Sequence, residues 1–358
     1  MKKIISVIGA RPQFIKCAAL SPALRKYFNE IIVHTGQHYD QNMSEAFFKE
    51  LKIPEPDYNL EVGSDTPGKQ IAMMMIRLEE VVAKEKPDLI IVFGDTNSTA
   101  AGSIIAVKYG IKLAHIEAGL REFNKYIPEE SNKLITDILS DFYFCPTQTA
   151  VNILKSMGIT QGVYNVGDVM IDIIEKYKTQ IQNNTAAIEK FGVKKQEYVF
   201  VTCHRAANTD NIHNLTSILM ALNKLNKKII FPIHPRTKKI INENNLQYLL
   251  DKPNIIAIEP IGYFDSQTLI MYSDYVITDS GGVTKEAYYH KVPGILIDTQ
   301  TEWIETVQEG WNKKAGPDME KILTFAKSIK KPQYHSNCLG DGHAADKIAE
   351  ILYTSLYY

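Results

Sequence analysis

Asp95, Glu117 and Glu129 are the side chains of this sequence best suited to moving protons; the first two fall where an apolar run ends and the third at a helix start. Asp95 ends DLIIVFGD, Glu117 follows KLAHI, and Glu129 follows Pro128 in IPEESNK. Carboxylates opening into one cleft are the equipment of general acid–base chemistry. Asp95 and Glu117 share a crevice if their runs are neighbouring strands joined by the intervening helix. The plainer reading is local. Asp95 is then a turn or cap residue before Asn97, and Glu129 and Glu130 are first-turn acids worth roughly 0.3–1 kcal/mol each against the helix macrodipole. Taken singly, each carboxylate fits the plainer reading, and Glu122 and His115 gain no role of their own.

Cations and glycines mark further strand ends. In GARPQFIK, Pro12 suits a first helical turn, and Arg11 and Lys16 flank a helix N-terminus that favours an anion. The alternative is a capped helix with two surface cations; GxGxxG is absent, which argues against a nicotinamide dinucleotide. In ITDSGGVTKEA, Ser280, Gly281 and Gly282 allow a phosphate to approach backbone amides, and Glu286 is placed to accept from ribose hydroxyls. The bland alternative is a tight strand–helix turn. VTCHRAANTDN puts His204 and Arg205 at a strand end before a helix capped by Thr209 or Asp210. FPIHPRTKK puts His234 and Arg236 at the next one, adding local positive charge. His34 and His38 in HTGQH are four apart, but a glycine separates them and no third ligand follows, so no metal site is expected.

The elements that must position these residues are legible in the alternation. KIISVIG, EIIVHTG, DLIIVFGD, KLAHIEAG and DFYFCPT, then EYVFVTCH, KKIIFPIH, NIIAIEP, DYVITDS and GILIDT, are short apolar runs separated by helix-like stretches. Runs without strict alternation predict strands buried on both faces of a parallel sheet. With 358 residues, more than one core usually serves, the expectation is two doubly wound α/β domains, crossing near residues 165–177. The segment KTQIQNNTAAIEKFG reads as polar surface. A net charge of −1 argues against a nucleic-acid partner. No run is long enough for a membrane span, and MKKIISVIGARP is too short for a signal sequence. Four cysteines without a pairing pattern fit a reducing cytoplasm.

Taken in order, GARPQFIK, HTGQHYDQNM, GDTNSTAAG, HIEAGLR, PEESNK, CHRAANTDN, IHPRT, TDSGGVTKEA and GDGHAADKI run from end to end of the chain. This set resembles the non-hydrolysing UDP-N-acetylglucosamine 2-epimerases. The resemblance implies a GT-B-like fold of two Rossmann-like domains with an interdomain cleft, residues 1–167 and 168–340, with about 341–358 returning to the first. It implies a homodimer, no cofactor and no metal, and inversion of C2 by elimination of UDP to a 2-acetamidoglucal, followed by re-addition. By motif, Asp95, Glu117 and Glu129 are the acid–base carboxylates, and His204 assists the departing phosphate. Arg11, Lys16, His234, Ser280, Gly281, Gly282 and Glu286 hold the substrate, and Gln37 matches a regulatory contact. The departures are Ala207 in place of a glutamate, Lys285 in place of the first acid of an acidic pair, and Trp303 in place of Arg-Pro. TEW and HTGQHYDQNM look closer to a branch that includes UDP-2,3-diacetamido-2,3-dideoxyglucuronate 2-epimerases, so that sugar is the alternative substrate; a hydrolysing 2-epimerase is the alternative reaction. A retaining glycosyltransferase and a non-enzymatic nucleotide-sugar sensor are the more distant readings.

Overall fold

The computed structural model describes residues 1–37 and 50–358. His38 and the rest of HYDQNM lie outside the described residues. The backbone forms two compact units, Met1–Lys176 with Asn337–Tyr358, and Tyr177–Ser336.

The first unit is built on β1 (Lys3–Ile8), β2 (Asn29–His34), β3 (Tyr58–Asn59), β4 (Leu89–Phe93), β5 (Lys112–Ile116), β6 (Phe142–Cys145) and β7 (Val163–Asn165). Among the described residues these pair in the order β3-β2-β1-β4-β5-β6-β7, parallel throughout. Every residue of LIIVF in β4 is buried, which is why that run shows no alternation. The chain leaves β1 toward β2 and returns on the other side as β4. A ligand crevice in such a sheet lies at this reversal, beyond the carboxyl ends of the strands.

The second unit repeats the plan with β8 (Tyr198–Thr202), β9 (Lys228–Pro232), β10 (Ile255–Ile258), β11 (Tyr275–Thr278), β12 (Gly294–Leu296) and β13 (Asn312–Lys314). Their order is β10-β9-β8-β11-β12-β13, again parallel, with the reversal between β8 and β11. The doubly wound α/β reading therefore holds in both units. The short strands β3, β7 and β13 lie at the sheet margins and carry too few apolar residues to stand out in the sequence. The stretch after Tyr177 is less polar than it reads. It forms helices Lys178–Asn183 and Ala186–Lys190, which bury Ile181, Ala187 and Ile188.

Helix Ala344–Tyr357 packs in the first unit against helices Arg11–Leu24 and Val169–Lys176. Asp172 accepts from the backbone N–H groups of Ala344 (3.2 Å) and Ala345 (2.7 Å), satisfying two of the orphan donors at that helix start. Burial pushes the Asp172 carboxyl up to about 6 despite those two hydrogen bonds. Gly167 and Gly340 meet back to back: a Cβ on Gly340 would lie 2.8 Å from the Gly167 Cα.

Candidate active site

In the first unit the reversal between β1 and β4 gathers the acids and cations. Gln13 ties the two strand ends together. Its carbonyl accepts from the N–H groups of Gly9 (2.8 Å) and Ala10 (3.0 Å), while its amide donates to the Phe93 carbonyl at 2.9 Å. Pro12 follows at the start of helix Arg11–Leu24, where Arg11 is half-buried. Lys16, one turn along, is buried, and its ammonium donates to the Glu117 carboxylate. The surface-cation reading of Lys16 is thereby overturned. The pair forms because β5 neighbours β4 and because Gly94 keeps the space clear. A Cβ at Gly94 would meet Lys16 Nζ at 3.0 Å and Glu117 Oε2 at 3.4 Å.

Glu117 itself has φ +71°, a left-handed conformation that costs a non-glycine residue about 1–3 kcal/mol. The β6 strand end holds it there, with the N–H groups of Glu117 (3.0 Å) and Ala118 (3.1 Å) both donating to the Phe144 carbonyl. Asp95, from the adjacent strand end, receives Lys133 Nζ at 3.3 Å. Asn132 donates to the Asp95 carbonyl at 2.9 Å, anchoring helix Pro128–Leu139 to this strand end. Glu129 is exposed in the first turn of that helix, one turn before Lys133. Glu130 is buried and accepts from the Glu122 N–H at 2.8 Å, so it fastens the preceding loop rather than only countering the dipole.

Behind these groups lies a buried network that sequence reasoning missed. His115 Nε2 meets the Gly94 carbonyl at 2.7 Å, and His115 Nδ1 meets Asp137 at 2.6 Å. The other Asp137 oxygen pairs with Arg121 at 2.7 Å. Burial works to raise the Asp137 carboxyl, but His115 and Arg121 outweigh it and hold it below its ordinary value. Part of the signal was available: Glu129, Lys133 and Asp137 recur every four residues on one helix, so all three share a face. Gln37 lies across the same strand ends, its carbonyl accepting from Ser98 Oγ at 2.7 Å and Ser98 N at 3.2 Å. Gly9 is obligatory beside it, since a Cβ there would fall 2.1 Å from Thr35 Oγ1 and 2.3 Å from Ser98 Oγ.

In the second unit the β8 and β11 ends are joined by Asp279, a second omission. Its buried carboxylate accepts from the N–H groups of His204 (2.9 Å) and Arg205 (3.0 Å) and from Asn208 at 3.1 Å. Ser280 caps helix Gly281–Tyr289, its hydroxyl accepting from Val283 N–H at 3.4 Å. The first amides of that helix, at Gly281 and Gly282, are the donors an anion would meet. Glu286 is buried in the next turn; burial pushes the Tyr263 phenol up, and the Glu286 charge adds to it. The His204 side chain is partly exposed, with its ring 5.7 Å from that of His234. His234 caps helix Pro235–Glu243 through Nδ1, which accepts from Arg236 N–H at 3.2 Å. Two expectations need correction. Arg236 adds no open positive charge, because its guanidinium pairs with both Asp210 oxygens. A short helix, Ala206–Thr209, follows His204 directly with Arg205 at its N-cap, and the longer helix Ile212–Lys224 is capped by Asn211, so neither Thr209 nor Asp210 is a helix N-cap.

A family model described as UDP-N-acetylglucosamine 2-epimerase matches residues 22–353. A UDP-N-acetylglucosamine 2-epimerase homologue of Methanococcus maripaludis is 45% identical, covering 98% of this chain and 99% of its own. The UDP-2,3-diacetamido-2,3-dideoxy-D-glucuronate 2-epimerase of Pseudomonas aeruginosa is 42% identical over 98% of this chain and 99% of its own. The crystal structure of Methanocaldococcus jannaschii UDP-GlcNAc 2-epimerase with UDP-GlcNAc and UDP superposes with a TM-score of 0.93 at 39% identity. It covers 98% of this chain and 99% of that one.

Proposed function

The chain belongs to the UDP-N-acetylglucosamine 2-epimerase family, and from that premise we propose that it interconverts UDP-N-acetylglucosamine and UDP-N-acetylmannosamine without releasing the free sugar. The observation that carries this reading is the buried Lys16–Glu117 pair with Asp95 on the neighbouring strand end. C2 of the sugar bears no adjacent carbonyl, so its proton is not acidic enough to leave alone. Breaking the C1–O bond as the C2–H electrons move into a C1–C2 double bond solves this. UDP departs with the bonding pair of C1, a carboxylate takes the C2 proton, and a 2-acetamidoglucal remains. Return of UDP to C1, with a proton delivered to the opposite face of C2, gives the epimer. Carboxylates on two sides of the ring are therefore needed, and Asp95, Glu117 and Glu129 are our candidates. Donors must also meet the charge growing on the diphosphate. We assign this to the Ser280–Gly282 helix start and to His204, with Arg11 and His234 as further substrate contacts.

Incubation with UDP-N-acetylglucosamine in D2O tests the reading. Deuterium should enter at C2 of a nucleotide-linked sugar. Free N-acetylmannosamine with UDP would point to a hydrolysing enzyme, and no exchange would sink the epimerase reading for this sugar. The 2,3-diacetamido uronate is the second substrate to try, favoured by the 42% identical relative that acts on it.

We further propose that two copies associate through one face of the first unit. Helices Pro67–Glu85, Asn97–Lys108 and Pro128–Leu139 pack side by side and leave Ile76, Val107 and Ile138 exposed, where a lone surface helix would carry polar residues. Sedimentation should give a dimer, and Ile76→Glu with Ile138→Glu should give a monomer. A wild-type monomer, or a doubly substituted dimer, refutes this.

A further inference from the structure

Lys285 and Trp303 both depart from the pattern the sequence resembles, and in the structure they touch. The Lys285 ammonium lies 4.2 Å from the centroid of the Trp303 ring. Each residue is only 2% exposed. The indole edge is turned toward the Ser280 turn, with Nε1 3.2 Å from the point a Cβ on Gly281 would occupy. Trp303 and Gly281 line one pocket together with Arg205, Thr278 and Asp298. The indole N–H of a tryptophan this deeply set ordinarily has an acceptor. Among the described residues the Trp303 indole has none; its backbone N–H donates to Thr301 Oγ1 at 3.2 Å. An unmatched donor thus stands beside the first amides of helix Gly281–Tyr289, which are themselves donors without helical partners. Convergent donors of this kind call for an anionic oxygen.

We propose that the Trp303 indole N–H donates to the diphosphate of the bound UDP-sugar, and that Lys285 is the positioning residue that holds the ring. A cation against the aromatic face fixes the indole plane and leaves its N–H edge for the ligand. The tight approach to Gly281 explains the glycine there, because a methyl group would crowd the N–H. This inference rests on the reading that the Ser280 turn binds UDP.

Trp303→Phe keeps a ring for Lys285 and removes only the donor. A hydrogen bond to a charged acceptor is worth enough that UDP should bind about tenfold or more weakly by calorimetry. Lys285→Met should weaken UDP binding in the native background and add little to Trp303→Phe. A purely structural lysine would weaken both backgrounds equally. The sequence has two tryptophans, so Trp311→Phe leaves Trp303 as the only indole. UDP should then change its emission along the calorimetric binding curve, a readout that does not require the Trp303 variant to fold. If the native protein binds UDP while Trp303→Phe binds it within twofold, or Trp303 emission ignores UDP, the inference is overturned and the UDP reading stands. If the native protein does not bind UDP, both fall.

Discussion

Glu117→Gln is expected to lower C2 deuterium exchange by a factor of roughly 100 to 10,000, the range that one general acid–base group supplies. The amide keeps the shape of the carboxylate and an acceptor for Lys16, but it can neither take nor deliver the proton. UDP affinity should change little, because the second unit's Ser280 turn is untouched. Stability should fall as well, since Lys16 loses the carboxylate it is buried against. Removing one partner of a buried pair costs up to about 3–5 kcal/mol, and the retained acceptor should keep the loss below that. Exchange within threefold of the native rate would show that Glu117 is not the proton-transfer group. The buried pair would then be structural.

Asp137→Ala is expected to be the most damaging single change away from the substrate. It strands the buried Arg121 guanidinium and leaves His115 held only by the Gly94 carbonyl. A loss of about 3–5 kcal/mol is expected, which for a unit of this size lowers the melting temperature by about 6–20 °C. Exchange should also slow, because His115 fixes the carbonyl of Gly94 immediately before Asp95. The pH dependence has a definite sign. The Asp137 carboxyl is held below its ordinary value in the fold, so its contribution is present above the unfolded value near 3.9. It is lost as pH falls through the folded value. The gap in melting temperature between native protein and Asp137→Ala should therefore be full at pH 7 and narrow below about pH 4. A gap that does not change with pH would mean the carboxylate's charge is not what holds the network.

The amino-acid sequence by itself determined the parallel α/β architecture. Fully buried strands such as LIIVF need apolar residues at every position, and that signal is local. It also determined which residues merit chemical attention, because a strand end is legible wherever an apolar run stops at Asp95, Glu117, His204 or Ser280. What it could not determine was how those groups are held. Lys16 and Glu117 are 101 positions apart and meet only because β4 lies between β1 and β5 in the sheet. His115 reads as an ordinary strand residue until Asp137 and the Gly94 carbonyl close on it. Arg236 reads as open charge until Asp210 folds against it. Lys285 and Trp303 look like two unrelated departures, yet they form one contact. A carboxylate's chemistry depends on which charge and which backbone dipole lie within a few ångströms of it, and tertiary structure alone supplies those neighbours.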